Sequence, residues 1–236
     1  MQASQITVDG QQIATELFAP DAPNGEGVLF IHGWRSNKEN PKAYAQQLTT
    51  AGYTCLTFDL RGMGTSEGDI ATLTRKDYLN DCLAAYDKLA ELENVTSISV
   101  VGSSFGSYMA CMVAARRPVK SLALRVPANY PDESFDEKQL IISDKLDAEG
   151  LAAERPSGTT YALDALHTFK GRVLIVQSEK DEIVHPKTVE SFANAVPDAA
   201  QLTLHLMKGA PHSLNTSPAL KEKYGTILLH WFTGTG

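Results

Sequence analysis

Ser103, Ser104 and Ser107 fall together in the stretch ISVVGSSFGSYMACMVAARRP, from Ile98 to Pro118, where a β-branched run ends and an apolar helical pattern begins. Only Ser104 has glycines two positions away on both sides, Gly102 and Gly106, giving G-x-S-x-G. At a tight strand-to-helix turn a nucleophile takes strained backbone angles, and larger residues at the flanking positions would clash with the neighbouring strand and helix. Frames centred on Ser103 or Ser107 place Val101, Phe105 or Met109 at those positions and do not fit. A serine hydroxyl is a poor nucleophile until a base takes its proton and a third group orients that base. For a serine on such a turn, the expected chain order is Ser, acid, His, with the acid after a later strand and the His beyond the last one. RVLIVQSEKDEIVHP offers Asp181 a few residues past a strand, with Glu179 and Glu182 as alternatives, and LTLHLMKGAPHSL offers His212 in a Gly-Pro loop. The other histidines read as structural. His205 alternates with Leu202, Leu204 and Leu206 and should face away from them, His167 and His230 lie in or near helices, and His185 belongs to the wall of the acid loop. An acyl-transfer site also needs N–H donors for a tetrahedral oxyanion. Phe105 supplies one as it opens a helix after the nucleophile, and Trp34 in LFIHGWRSN is the candidate for the second, with His32 packed beneath that loop.

The elements that must carry these groups read as parallel β-α units. ITVDGQQIATELF, Ile6 to Phe18, predicts an opening antiparallel hairpin turning at Asp9-Gly10. Strands are expected at 27–33, 54–60, 97–102, 121–126, 172–178 and 201–207. Most are continuous runs of Val, Ile and Leu, as in strands covered on both faces. Helical patterns lie near 41–51, 76–92, 105–117, 188–196 and 218–232, with Pro41, Pro186 and Pro218 near starts and Pro118 beyond an end. The rhythm breaks between Pro127 and about Phe169, a connection far longer than a crossover needs. Within it, the run from Pro127 to Pro156 holds eight acids against three bases. It reads either as a solvated helical face or as a small lid over a substrate pocket.

Composition narrows the partners. A chain of 236 residues with formal charge −7 fits one domain, spanning 1–236 with the insertion at 127–169, and it lacks the basic clusters of a nucleic-acid or anionic-membrane binder. MQASQITVDG has neither a basic nor an apolar leader region, and no apolar run is long enough to span a bilayer, so a soluble, cytoplasmic protein is expected. Cys55, Cys82 and Cys111 read as reduced core thiols. No CxxC or HxxxH spacing suggests a metal site, and no cofactor is expected.

The ordered set HGW at His32, DLRGMGTSEG from Asp59 to Gly68, GSSFGS at Ser104, SEKDEIV at Asp181 and PHSL at His212 resembles the α/β-hydrolase superfamily. It is similar in particular to small bacterial carboxylesterases of the feruloyl-esterase and dienelactone-hydrolase-like kind. The resemblance spans nearly the whole chain. It implies an α/β fold, with an eight-stranded, mostly parallel sheet beginning antiparallel and helices on both faces. It also implies a Ser104-His212-Asp181 triad with oxyanion donors at Trp34 and Phe105. Asp59, Arg61 and the glycines of DLRGMGTSEG would shape a loop beside the site. Many relatives have His where this chain has Ser103, and Gly or another small residue where it has Ser107, differences expected to alter pocket shape without removing a required group. The expected reaction is hydrolysis of carboxylic esters of small or aromatic acids by a monomer or homodimer. A peptidase, amidase or acyltransferase on the same triad is the alternative, and a non-catalytic small-ligand binder is the rival from another class. The acidic insertion disfavours polyanionic substrates such as acyl-CoA.

Overall fold

The computed structural model describes residues 1–149 and 159–235, with side chains from 146 to 149 left aside. Glu154 and Arg155, part of the acidic run, lie outside the described residues. The chain enters through β1 (Gln2–Val8) and β2 (Gln11–Phe18), an antiparallel pair. Asp9 and Gly10 turn it with φ of 50° and 79°, the two positive values that a type I′ hairpin demands and that an Asp-Gly pair tolerates. β2 lies antiparallel to β4 (Thr54–Phe58). Parallel pairings then run through β3 (Glu26–Ile31), β5 (Ser97–Ser103), β6 (Ser121–Arg125), β7 (Arg172–Lys180) and β8 (Leu202–Pro211), giving the order β1-β2-β4-β3-β5-β6-β7-β8. This is the eight-stranded, mostly parallel sheet expected from the sequence. The chain reverses direction across the sheet between β3 and β5, and a crevice opens there at the strands' carboxyl ends.

Burial explains the continuous apolar runs. Val28 and Phe30 of β3 face one layer of helices, α1 (Lys42–Thr50) and α7 (Pro218–Thr233), and Leu29 and Ile31 face the other. That second layer holds α2 (Arg75–Ala90), α3 (Phe105–Ala114), α5 (Tyr161–Thr168) and α6 (Pro186–Ala195). A strand covered on both sides has no solvent face on which polar residues would alternate. α3 is buried from Phe105 to Val113, so it shows no amphipathic stripe either.

Three boundaries differ from expectation in ways that matter for the site. β7 runs to Lys180 and β8 to Pro211, beyond the predicted ends at Ser178 and Met207, because their ladder continues through an irregularity between Ser178 and Lys180 that pairs Lys180 with Pro211. α6 begins at Pro186, capped by His185. β8 is an edge strand, so Leu204 and Leu206 stay half-exposed while Met207 and Ala210 enter the core. The stretch after β6 contains a short 3₁₀ turn, α4 (Gln139–Glu149) and α5. It is tied to α2 by the buried Arg75, which donates to the Pro131 carbonyl at 2.8 Å and the Ser134 hydroxyl at 2.6 Å.

Candidate active site

Ser104 stands between β5 and α3 with φ 54° and ψ −117°, a conformation sparsely populated by any residue with a side chain. The flanking glycines make it possible. A side chain at Gly106 would overlap the Ile31 carbonyl and lie 2.7 Å from that of His32; at Gly102 it would lie 2.6 Å from Ser107 Cα. The turn is pinned by the Ser104 N–H, which donates to the Arg125 carbonyl at 2.9 Å. Ser107, fully buried, donates its hydroxyl to the same carbonyl at 3.1 Å, and Ser103 Oγ accepts from Arg125 Nη1 at 3.3 Å. Ser103 and Ser104 line a cavity, whereas Ser107 is buried against the Arg125 carbonyl.

His212 follows β8, and its Nδ1 lies 2.9 Å from each carboxylate oxygen of Asp181. Asp181 is locked in turn, since its Oδ1 accepts the N–H groups of Ile183 at 2.9 Å and Val184 at 2.8 Å. The other candidate acids brace backbone. Glu182 accepts from the His212 N–H at 3.0 Å and Glu179 from that of Gly209 at 2.7 Å. The extended β7–β8 ladder thus ends on the pair of Lys180 with Pro211, and the side chains of the residues that follow each strand, Asp181 and His212, meet, so that the imidazole is oriented with Nε2 as its second nitrogen.

Trp34 follows β3 in a loop pressed against the serine turn, so that a side chain at Gly33 would touch Ser103 O at 3.3 Å and Ser104 Cβ at 3.5 Å. Its ring packs edge-on against Phe105 at 5.5 Å and Tyr78 at 5.6 Å. Phe105 is the first residue of α3, and an N–H there precedes the helical hydrogen-bond ladder. His32 lies buried beneath, with Nδ1 2.8 Å from the Gly33 carbonyl and Nε2 accepting from the Leu60 N–H at 3.1 Å. Burial lowers its pKa, against the opposing pull of the Gly33 carbonyl and Asp59, which suits a neutral ring that joins two loops. Asp59 anchors the neighbouring loop by accepting from Lys38 N at 2.6 Å, Lys38 Nζ at 2.7 Å and Thr65 N at 2.9 Å. Burial opposes its charge, but the Lys38 and Thr65 hydrogen bonds outweigh that and hold its pKa below the usual value.

Ser104, His212 and Trp34 line one cavity of about 630 Å³ at the carboxyl edge of the sheet. Its lining includes Tyr44, Arg125 and Tyr224, and Asn129, Tyr130 and Ser143 from the long connection after β6. A hydroxyl and an oriented imidazole around a pocket of this size can carry out acyl transfer on a small organic substrate. Residues 27–149, just over half of the chain, match the family described as alpha/beta hydrolase fold. The chain belongs to the α/β-hydrolase fold family.

Within that family it is similar to the bovine palmitoyl-protein thioesterase ABHD10, mitochondrial, at 29% identity over 181 residues, covering 72% of this chain and 57% of that protein. It is also similar to the non-heme chloroperoxidase CPO-A1 of Kitasatospora aureofaciens, at 27% identity over 92% of this chain and 95% of that one. In fold it matches Est1E of Butyrivibrio proteoclasticus with ferulic acid bound, at TM-score 0.76 and 20% identity over 98% of both chains. Among the described residues no helix is long and apolar enough to cross a membrane, and no group of three or more His, Cys, Asp or Glu could hold a metal ion.

In this α/β-hydrolase-fold site, Arg125 and the pocket-lining residues after β6 are the least legible in the sequence. The signal for Arg125 was a charge at the carboxyl end of an otherwise apolar strand, SLALR. Asn129, Tyr130 and Ser143 had no local signal, because nothing in a linear segment says which face a long connection turns inward.

Proposed function

We propose that the chain is a serine hydrolase that cleaves carboxylic esters of small or aromatic acids through an acyl-enzyme. The contact of His212 with Asp181, in the cavity that Ser104 lines, carries this reading. In this scheme His212 Nε2 takes the Ser104 proton as Oγ attacks the ester carbonyl. The oxyanion is held by the N–H groups of Trp34 and Phe105, and the imidazolium returns its proton to the leaving alcohol. Water activated by the same nitrogen then releases the acid, while Asp181 holds the tautomer and stabilises the charged ring. The aromatic lining from Trp34, Tyr44, Tyr130 and Tyr224 supports a small or aromatic acyl group. We read the connection after β6 as the lid of the pocket, since Asn129, Tyr130 and Ser143 wall it.

With p-nitrophenyl acetate or butyrate as substrate, Ser104→Ala should lose about 10⁴ to 10⁶ in kcat. Ser103→Ala and Ser107→Ala should keep most turnover. A Ser104→Ala protein of wild-type activity would overturn the assignment. The similarity to a palmitoyl-protein thioesterase favours a second reading, in which the same groups cleave a thioester and the leaving group is a thiol.

A further inference from the structure

Arg125 ends β6, the strand between those that deliver Ser104 and Asp181, and only 5% of its surface is exposed. Its two ends reach different parts of the site. The backbone carbonyl accepts from the Ser104 N–H at 2.9 Å and the Ser107 hydroxyl at 3.1 Å. The guanidinium crosses to the other side, where Nη2 donates to the His212 carbonyl at 2.6 Å, the Pro211 carbonyl at 3.2 Å and the Ser178 hydroxyl at 3.1 Å. Ser178 stands on β7 three positions before Asp181, at the strand irregularity that lets the β7–β8 ladder continue. Nη1 reaches back to Ser103 at 3.3 Å, and Tyr224 lies under the guanidinium with its ring centre 5.8 Å away. Among the described residues Nε finds no acceptor, so the side chain is held by what its Nη atoms reach. Val126, next in the chain, has φ 42° and donates its N–H to the Val176 carbonyl at 2.8 Å, a strained turn that fixes the direction of the preceding carbonyl.

We infer that Arg125 is a positioning residue that sets the relative placement of Ser104, Asp181 and His212, clamping the serine turn with its backbone and the acid and histidine strands with its side chain. No other residue described above bonds to all of these segments. A charged donor to neutral carbonyls gives bonds stronger than neutral ones, and the planar fork addresses Ser103 and the His212 loop at once. Burial pulls the guanidinium below the ordinary arginine value, while Tyr224, Tyr44, Asp181 and Glu182 act the other way. Lysine would keep the charge as a single point on a flexible stem and could not hold both sides. The inference rests on the serine-hydrolase reading for its effect on rate, and on geometry alone for its effect on the His212–Asp181 contact.

The test measures kcat per serine titrated by a fluorophosphonate, with p-nitrophenyl acetate, together with the low-field proton resonance of the His212–Asp181 hydrogen bond. Arg125→Met should lose about 10- to 100-fold in kcat, more than KM changes, because misplacement of reacting groups by about 1 Å costs that much. Its low-field resonance should shift or broaden. Arg125→Lys should fall between it and wild type. Ser178→Ala, which removes one acceptor and leaves Arg125 in place, should shift the resonance with a loss under about tenfold, and it decides the matter if neither Arg125 variant folds. A folded Arg125 variant with wild-type kcat and an unmoved resonance overturns the inference, as does an unmoved resonance in Ser178→Ala when that variant is the arbiter. Turnover by Ser104→Ala would instead sink the hydrolase reading, and the resonance would still report on the clamp.

Discussion

At the scale of single residues, the serine turn works by the absence of side chains around one that is present. Ser104 holds φ 54° because Gly102 and Gly106 let the strand end, the helix start and the β3 loop approach closely. Gly106→Ala places a methyl against the Ile31 and His32 carbonyls, backbone atoms that cannot swing aside. That variant should lose on the order of 3 kcal/mol in chemical denaturation and most of its turnover. Unchanged stability would mean that the turn is laxer than its geometry indicates. Both residues were legible as G-x-S-x-G because a steric demand at fixed offsets writes itself into local sequence. The choice of Asp181 over Glu179 and Glu182 was less legible. All three lie at or just past the end of one strand, and what separates them is which carboxylate the fold turns towards His212 Nδ1 and which it turns to the N–H groups of Gly209 and His212.

At the scale of elements, loops are held by buried polar anchors. Asp59 joins the β3–α1 loop, through Lys38, to its own segment after β4, and so braces the loop that carries Trp34. Its native pKa lies below the unfolded value, so it adds stability above the unfolded pKa near pH 4 that is lost as pH falls through the native value. Asp59→Asn should therefore be less stable by on the order of 3 kcal/mol at pH 7. Urea titrations should show that gap closing below about pH 4, and a gap constant with pH would show that the Asp59 charge is not what stabilises this loop. Strand ends beyond Ser178 and Met207 could not be read from sequence. Glu179, Lys208 and Gly209 fall in the irregularity, where the Glu179 side chain takes the Gly209 N–H, and the ladder resumes only at the pair of Lys180 with Pro211.

At the scale of the whole molecule, the pocket is made by segments far apart in the chain. Tyr44 and Tyr224 come from α1 and α7, about three quarters of the chain length apart, and Tyr130 from the connection after β6. If this cavity sets substrate choice, p-nitrophenyl esters of short acids and hydroxycinnamate esters should give higher kcat/KM than a palmitoyl thioester; the reverse order would favour the thioesterase reading. The sequence alone determined the fold class, and it singled out Ser104 as the candidate nucleophile and the order Ser, acid, His of the candidate groups, since these depend on periodicity, local sterics and position relative to strands. Tertiary structure decided which acid faces the histidine, how far β7 and β8 extend, what walls the cavity, and that Arg125 spans the serine turn and the histidine loop. Each of these is a relation between residues distant in sequence, fixed only when the sheet brings strand ends together and their unpaired donors and acceptors find partners across it.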